Sequence, residues 1–305
     1  MTVTVLVPGE TGRAALAGQE WADLVVYDPD HDWPEPASSA EVLIVPPAAR
    51  TADRLLAAMR ELPKLRLVQT LSAGVELWEG KLPGGVLLSN ARGAHGGSTA
   101  ELAATGLLAV YRQVPQFLAN QAGHKWDQHP TETLDGKRVL VLGAGDLAQS
   151  LRSQLEPFGA TVTLVGRSAR AGVRSFDEVP ELLGGHDAVV LMVPYNDQTH
   201  HLADAGFLAR MPDQAVLVNV ARGPVVDTDA LVAELTAGRL RAVLDVTDPE
   251  PLPAGHPLWG QPGVLISPHV GGASSAFFPR ADRLMAAQLN RFLAGQPLEN
   301  VVKPG

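Results

Sequence analysis

The stretch Val139 to Ala148, VLVLGAGDLA, constrains the fold of this chain more than any other. Four apolar residues, Val139, Leu140, Val141 and Leu142, run into Gly143-Ala144-Gly145, and a helical pattern begins at Asp146. That order of apolar run, glycines and helix predicts a buried parallel strand, a tight turn and a helix N-terminus. Gly143 permits the sharp turn, Gly145 lets the backbone approach a pyrophosphate with no Cβ in the way, and Ala148 keeps the helix close to the sheet. The free N–H groups at the start of the helix, around Asp146 and Leu147, would hold the phosphates at the positive end of the helix dipole. Glycine marks any tight strand-to-helix turn, so the glycines alone say little. Strand, glycines and helix in this sequence predict a dinucleotide-binding unit.

The rest of the chain is consistent with such a unit and a partner domain. Its 305 residues allow one large or two medium α/β domains. The net charge of −9 argues against nucleic acid as a main partner and gives no attraction to anionic membranes. The absence of cysteine excludes disulfides, thiolate catalysis and Cys-ligated metal, and fits a reducing cytosol. The opening MTVTVLVPG lacks a basic segment and reads at once as a strand, so no signal peptide is expected. No apolar run is long enough for a membrane span.

Short apolar runs recur at Thr2–Val7, Leu24–Val26, Val42–Val45, Leu65–Val68 and Val86–Leu88, with a helical pattern from Thr51 to Glu61. Strands alternating with helices predict a parallel sheet covered on both faces. A long amphipathic segment from Thr99 to about Asn120 follows as the link to a second domain. After it comes a polar loop, Gly123–Glu132, whose Trp126 is expected to pack somewhere, a partner subunit included. The second domain has six expected strands: Arg138–Leu142, Thr161–Val165, Ala188–Val193, Ala215–Asn219, Leu240–Asp245 and Val264–Ser267. Six strands suit a complete doubly wound dinucleotide fold. A last helix is expected near Phe277 to Leu293.

In an NAD-binding unit an acidic residue about twenty positions beyond the glycines bonds the ribose 2′-OH. Here that place holds Gly166, followed by Arg167-Ser168-Ala169-Arg170. Guanidinium groups bind a 2′-phosphate that a carboxylate would repel. Arg167 and Arg170 as solvated loop charges would be ordinary, but the missing acid tilts the reading to NADP(H), with NAD(H) use still open.

Three further stretches fall at the ends of expected strands, the edge where doubly wound sheets bind ligands. They are Val218-Asn219-Val220-Ala221-Arg222-Gly223-Pro224, Leu244-Asp245-Val246-Thr247-Asp248-Pro249-Glu250-Pro251-Leu252-Pro253 and Ile266-Ser267-Pro268-His269-Val270-Gly271-Gly272. An arginine beside a cofactor suits a substrate carboxylate. A histidine near a nicotinamide can protonate a carbonyl oxygen as hydride reaches the carbon. A carboxylate bonded to that histidine would fix its orientation and favour its protonated form. Each residue alone reads as a salt bridge, a solvated charge or a strand-end histidine; three such types after three successive strands do not. The nine histidines lack metal-ligand spacing, and His200-His201 reads as a solvated loop, so no metal is expected.

Those three stretches together resemble the D-isomer-specific 2-hydroxyacid dehydrogenase family. The similarity extends to Gly136-Lys137 before the glycine loop, to Ser98-Thr99-Ala100-Glu101-Leu102 and to Leu71-Ser72-Ala73-Gly74-Val75. The resemblance implies two doubly wound parallel-sheet α/β domains. One is a flavodoxin-like substrate domain, residues 1–93 completed by 275–305; the other is a Rossmann cofactor domain, residues 94–274. It implies that Arg222 binds substrate, that His269 is the acid/base and that Glu250 is its partner. Asp245 would bond the nicotinamide carboxamide, and Ser72, Ala73 and Gly74 would cradle the substrate carboxylate. Cofactor contacts would also include Thr99, Val193, Pro194, Val220 and Ala221. Closure of the two domains over the reaction and a homodimer joined through the cofactor domains are further expectations of the family, and the Gly123–Glu132 loop is a candidate part of that interface.

The expected activity is reduction of a small 2-oxo acid to a D-2-hydroxy acid, with glyoxylate or hydroxypyruvate favoured and a bulkier apolar acid open. Glu250 sets the chain apart from the related formate dehydrogenases, which carry an amide there. Val45-Pro46-Pro47, where phosphoglycerate dehydrogenases usually place polar or basic residues, and the absence of a regulatory domain after residue 305 argue against 3-phosphoglycerate. Two rivals share the fold: a dinucleotide-sensing module with little turnover, and an oxidase acting on phosphite or formate.

Overall fold

The computed structural model describes residues 2–16, 22–46, 51–94 and 96–302. Pro47, part of the proline pair, lies outside them. The chain divides into two compact units, Met1–His95 with Ser275–Gly305, and Gly96–Ser274.

The first unit holds β1 (Val3–Pro8), α1 (Gly9–Ala15), β2 (Ala22–Tyr27), β3 (Val42–Val45), α2 (Ala52–Ala58), β4 (Leu67–Thr70) and β5 (Leu87–Ser89). All strand pairs are parallel, in the order β2-β1-β3-β4-β5. This is the flavodoxin-like order. Side chains alternate across a strand, so β1 sends Val3, Val5 and Val7 to one face and Leu6 to the other. On the second face α2 packs Ala52 and Leu55 against Leu43, Val45 and the buried Trp78.

The second unit begins with α3 (Gly96–Tyr111) and α4 (Val114–Ala122), then β6 (Arg138–Leu142), α5 (Asp146–Leu155), β7 (Thr161–Gly166) and β8 (Val173–Ser175). It continues with α6 (Val179–Leu182), β9 (Ala188–Leu191), α7 (Ala205–Ala209), β10 (Val216–Asn219), α8 (Thr228–Thr236), β11 (Arg241–Leu244) and β12 (Val264–Ile266). The chain then returns to the first unit as α9 (Phe277–Leu293). There its Phe277, Ala281, Met285 and Leu289 cover the Val3–Val5–Val7 face.

The second sheet is parallel throughout, in the order β12-β11-β10-β9-β6-β7-β8. From its centre this is the doubly wound 3-2-1-4-5-6 order with one strand more. Leu140, Leu142, Leu217 and Leu244 face α7 and α8, while Val139, Val141, Val218 and Val243 face α3 and α5. Near-continuous apolar strands are what a sheet covered on both faces requires. Helix α3 comes close because Gly106 has no side chain: a Cβ there would lie 2.4 Å from Val243 Cγ1.

Two details differ from the sequence expectation. β8 adds a seventh strand, and the Thr99–Asn120 segment is two helices. They break at Gln113, whose φ is 53°, with a proline in the first turn of α4. Proline fits a first helical turn and not an interior.

Candidate active site

The glycine turn follows β6. Gly143 has φ 142° and donates its N–H to Val165 O at 2.8 Å; a Cβ there would lie 2.8 Å from Met192 O. Gly145 is the N-cap of α5, no side chain caps it, and no atom lies within 4 Å of where its Cβ would be. The helix's first N–H groups precede its internal hydrogen bonds, and the bond from Gln149 N to Gly145 O opens the series. Ala148 is buried against the sheet. An uncapped helix start facing open space over glycine fits a diphosphate.

At the end of β7, a Cβ on Gly166 would meet Arg170 Nη1 and Val173 Cγ1, each at 3.0 Å. The Arg170 guanidinium donates to Ala144 O at 3.1 Å, so it is anchored on the glycine turn itself. Arg167 and Ser168 are exposed beside it. Beyond β9, Val193 is half-buried and Pro194 exposed, and Pro194 O accepts from Thr199 Oγ1 at 2.8 Å.

Asn219, buried at the end of β10, folds the next turn back on itself. Its Oδ1 accepts from Ala221 N at 3.0 Å and its Nδ2 donates to Arg222 O at 2.9 Å. Val220 and Ala221 are buried in this turn, and Arg222 Nη1 donates to Ala221 O at 2.7 Å. Gly223 passes against the backbone after β11, where a Cβ would lie 1.9 Å from Thr247 O.

Asp245 directly follows β11, and His269 stands in the turn after β12. His269 Nδ1 and Glu250 Oε1 are 2.6 Å apart, both side chains about two-fifths exposed. With Nδ1 bonded to the carboxylate, Nε2 is the nitrogen left for a ligand. His269 has φ 54°, and its N–H donates to Asp245 O at 2.7 Å. The buried Asp245 carboxylate takes three more bonds from the same turn. Ser267 Oγ (2.6 Å) and Val270 N (2.9 Å) reach Oδ1, and Gly271 N (2.8 Å) reaches Oδ2. Thr99, buried on α3, lies beside that turn: a Cβ on Gly271 would come 3.3 Å from its Cγ2.

Within the first unit, the turn after β4 keeps its carbonyls bonded. Thr70 Oγ1 and Ala91 N both donate to Ser72 O, at 2.7 and 2.9 Å. Asn90 Nδ2 donates to Ala73 O and Ser72 Oγ to Gly74 O, each at 2.8 Å. All three carbonyls are engaged within the unit. No group of three or more metal-ligating side chains occurs among the described residues, and none of the described helices is long and apolar enough to cross a membrane.

The sequence singles out Arg222, Glu250 and His269 but not Asn219 and Ser267, whose hydrogen bonds shape the turns around Arg222 and His269. An Asn at a strand end, two residues before an alanine whose N–H its side chain can accept, is a readable turn signal. Ser267 meets Asp245 only in the fold.

A Rossmann sheet with an open glycine turn and a histidine–carboxylate pair at its carboxyl edge suits a nucleotide-dependent oxidoreductase. Residues 104–271 match the family model for the D-isomer specific 2-hydroxyacid dehydrogenase NAD binding domain. The chain is 31% identical to the human glyoxylate reductase/hydroxypyruvate reductase, over 99% of this chain and 97% of that one. A D-isomer specific 2-hydroxyacid dehydrogenase from Xanthobacter autotrophicus Py2, solved with NADPH and MES, superposes with a TM-score of 0.84. It is 29% identical, over 99% of this chain and 98% of that one. An NADPH-dependent glyoxylate/hydroxypyruvate reductase from Sinorhizobium meliloti, solved with NADP and sulfate, gives a TM-score of 0.83 at 26% identity, over 100% of this chain and 99% of that one. The chain belongs to the D-isomer specific 2-hydroxyacid dehydrogenase family and is an oxidoreductase that uses a nicotinamide cofactor.

Proposed function

We propose that the protein reduces a small 2-oxo acid of the glyoxylate or hydroxypyruvate kind to the D-2-hydroxy acid, with NADP(H) preferred over NAD(H). The observation that carries this is the 2.6 Å contact of Glu250 with His269 Nδ1, which leaves Nε2 for a substrate oxygen. The names of the human and Sinorhizobium relatives support the substrate class.

The bound nicotinamide supplies the hydride that reduces the carbonyl carbon. The chain's residues do the rest. Gly143, Ala144, Gly145 and the N–H groups of Asp146 and Leu147 take the diphosphate. Arg167, Ser168 and Arg170 take the 2′-phosphate, and the absence of a carboxylate at Gly166 removes the repulsion. Thr99, Val193, Pro194, Val220 and Ala221 line the cofactor's path, and a remaining lone pair of the Asp245 carboxylate accepts the carboxamide. The Arg222 guanidinium holds the substrate carboxylate and polarises the carbonyl. His269 gives its Nε2 proton to the carbonyl oxygen, and Glu250 stabilises and orients the imidazolium. Ser72, Ala73 and Gly74 are a second carboxylate-binding turn, with carbonyls turned to their own unit and N–H groups left for an anion.

In this reading residues 1–93 with 275–305 are the substrate-binding domain and 94–274 the dinucleotide-binding domain. The working form is a homodimer in a reducing cytosol, with Trp126, 94% exposed beyond α4, at the subunit interface. No metal, nucleic acid or membrane is needed.

The test is oxidation of NADPH and of NADH by the purified protein with glyoxylate, hydroxypyruvate, pyruvate and phenylpyruvate, beside Arg222→Ala. Turnover with NADPH above NADH, lost in the variant, is expected. NADPH binding without turnover on any of the acids would favour a dinucleotide-sensing module instead.

A further inference from the structure

We propose that Asp245 is the positioning residue of the acid/base: it sets where the backbone that carries the His269 imidazole stands, while Glu250 orients the ring. The inference rests on the reading of His269 as proton donor and adds a role to Asp245 beyond the nicotinamide carboxamide.

Four hydrogen bonds tie the turn that carries His269 to this one residue, beside that of Ser267 N–H to Leu244 O and the longer one of His269 N–H to Ser267 O. Asp245 O takes the His269 N–H, Oδ1 takes Ser267 Oγ–H and Val270 N–H, and Oδ2 takes Gly271 N–H. The four bonds reach residues on both sides of His269 as well as His269 itself. They span 22 to 26 positions of chain, so they come from β11 and not from local turn chemistry.

The anchored conformation is left-handed, with φ 54°; histidine tolerates it better than most non-glycine residues, as His124 and His201 also do here, and at His269 these bonds hold it in place. Glu250 touches the ring, at Nδ1, rather than the backbone of the turn, so it orients the imidazole without holding that conformation. Asp245 is 3% exposed. A buried carboxylate needs the donors that it receives here, so anion and turn hold each other.

The chemistry of the anchor makes it sensitive to small changes. Every partner of the carboxylate is a donor. In Asp245→Asn the amide nitrogen would face a backbone N–H at whichever oxygen position it took, so the turn cannot close in the same way. Gly271 belongs to the same design: a Cβ there would lie 2.8 Å from Asp245 Oδ2 and block the approach of its own N–H. A displacement of about 1 Å at a reacting group costs on the order of 100-fold in rate.

Four variants of the full chain separate the possibilities: Asp245→Asn, Ser267→Ala, Ser267→Thr and His269→Gln. Each is measured for kcat and for KM of the oxo acid with NADPH, for NADPH affinity by fluorescence titration without substrate, and for exchange of the Val270 and Gly271 amide protons. Ser267→Ala leaves the Asp245 carboxylate in place for a carboxamide and removes one tie to the turn. It should lower kcat about 10-fold, with NADPH affinity unchanged and amide exchange faster, and Ser267→Thr should restore kcat. Asp245→Asn should lower kcat about 100-fold even at saturating NADPH. If Asp245→Asn does not fold, the Ser267 pair alone decides. Inactive His269→Gln beside wild-type kcat in Ser267→Ala would overturn the positioning role and leave the acid/base reading standing. Fully active His269→Gln would overturn both.

Discussion

Cofactor preference is where one substitution has the clearest consequence. The Arg170 guanidinium is held on Ala144 O, at the glycine turn, and it can lie there because Gly166 offers no side chain to displace it. Hydrogen bonds to charged groups are worth about 1.5–3 kcal/mol. Arg170 is exposed, so the lower end applies to its bond with a 2′-phosphate. At about 1.4 kcal/mol per tenfold, Arg170→Ala should raise the KM for NADPH about 10-fold and leave that for NADH unchanged. Gly166→Asp goes further. Its Cβ would start 3.0 Å from Arg170 Nη1, so the flexible guanidinium moves away, and the new carboxylate then repels the phosphate. The two losses together come to about 3 kcal/mol, so the NADPH/NADH ratio of kcat/KM should fall on the order of 100-fold. The assay is initial-rate oxidation of each cofactor at a saturating oxo acid. Equal losses for both cofactors, or an unchanged ratio in Gly166→Asp, would show that neither residue reads the 2′-phosphate.

Two stability predictions concern the second unit. Gly106→Ala places a Cβ 2.4 Å from Val243 Cγ1; overpacking of about 1–3 kcal/mol against about 1 kcal/mol of gained helix propensity leaves a net loss of about 1 kcal/mol. The urea midpoint should drop, and an unchanged midpoint would mean that α3 lifts from the sheet at no cost. His186 is buried between Leu182 O (2.6 Å) and Thr163 Oγ1 (3.0 Å), and burial lowers its pKa from 6.5. The unfolded chain therefore binds this proton first as pH falls, so stability is lost below about pH 6.5 and not above it. His186→Gln should flatten that part of the melting-temperature profile; equal slopes in the two proteins would refute the assignment.

Much of the fold could be read from the sequence because doubly wound domains write their strands as short apolar runs punctuated by turns. Val139–Leu142 before Gly143 and Val42–Val45 before Pro46 are of this kind. β8 is not: Val-Arg-Ser pairs with β7 over three residues and carries no apolar run. The helix break before α4 had a signal in Pro115, which the amphipathic pattern of Thr99–Asn120 masks. Among the candidate site residues, Arg222, Glu250 and His269 stand in local motifs after successive strands and are legible as a set, not singly. What orders them is not local. The Ser267–Asp245 and Gly271–Asp245 bonds exist only because β11 and β12 pair in register, Leu244 against Ile266. The anchoring of Arg170 on Ala144 likewise depends on β7 lying beside β6.

The most direct test of the proposed chemistry is the configuration of the product. The protein is incubated with NADPH and hydroxypyruvate, and the glycerate is resolved by chiral chromatography. A D-specific reductase that protonates through His269 should yield D-glycerate, and His269→Gln should yield almost none. L-glycerate from the native chain, or D-glycerate formed as fast by the variant, would contradict it.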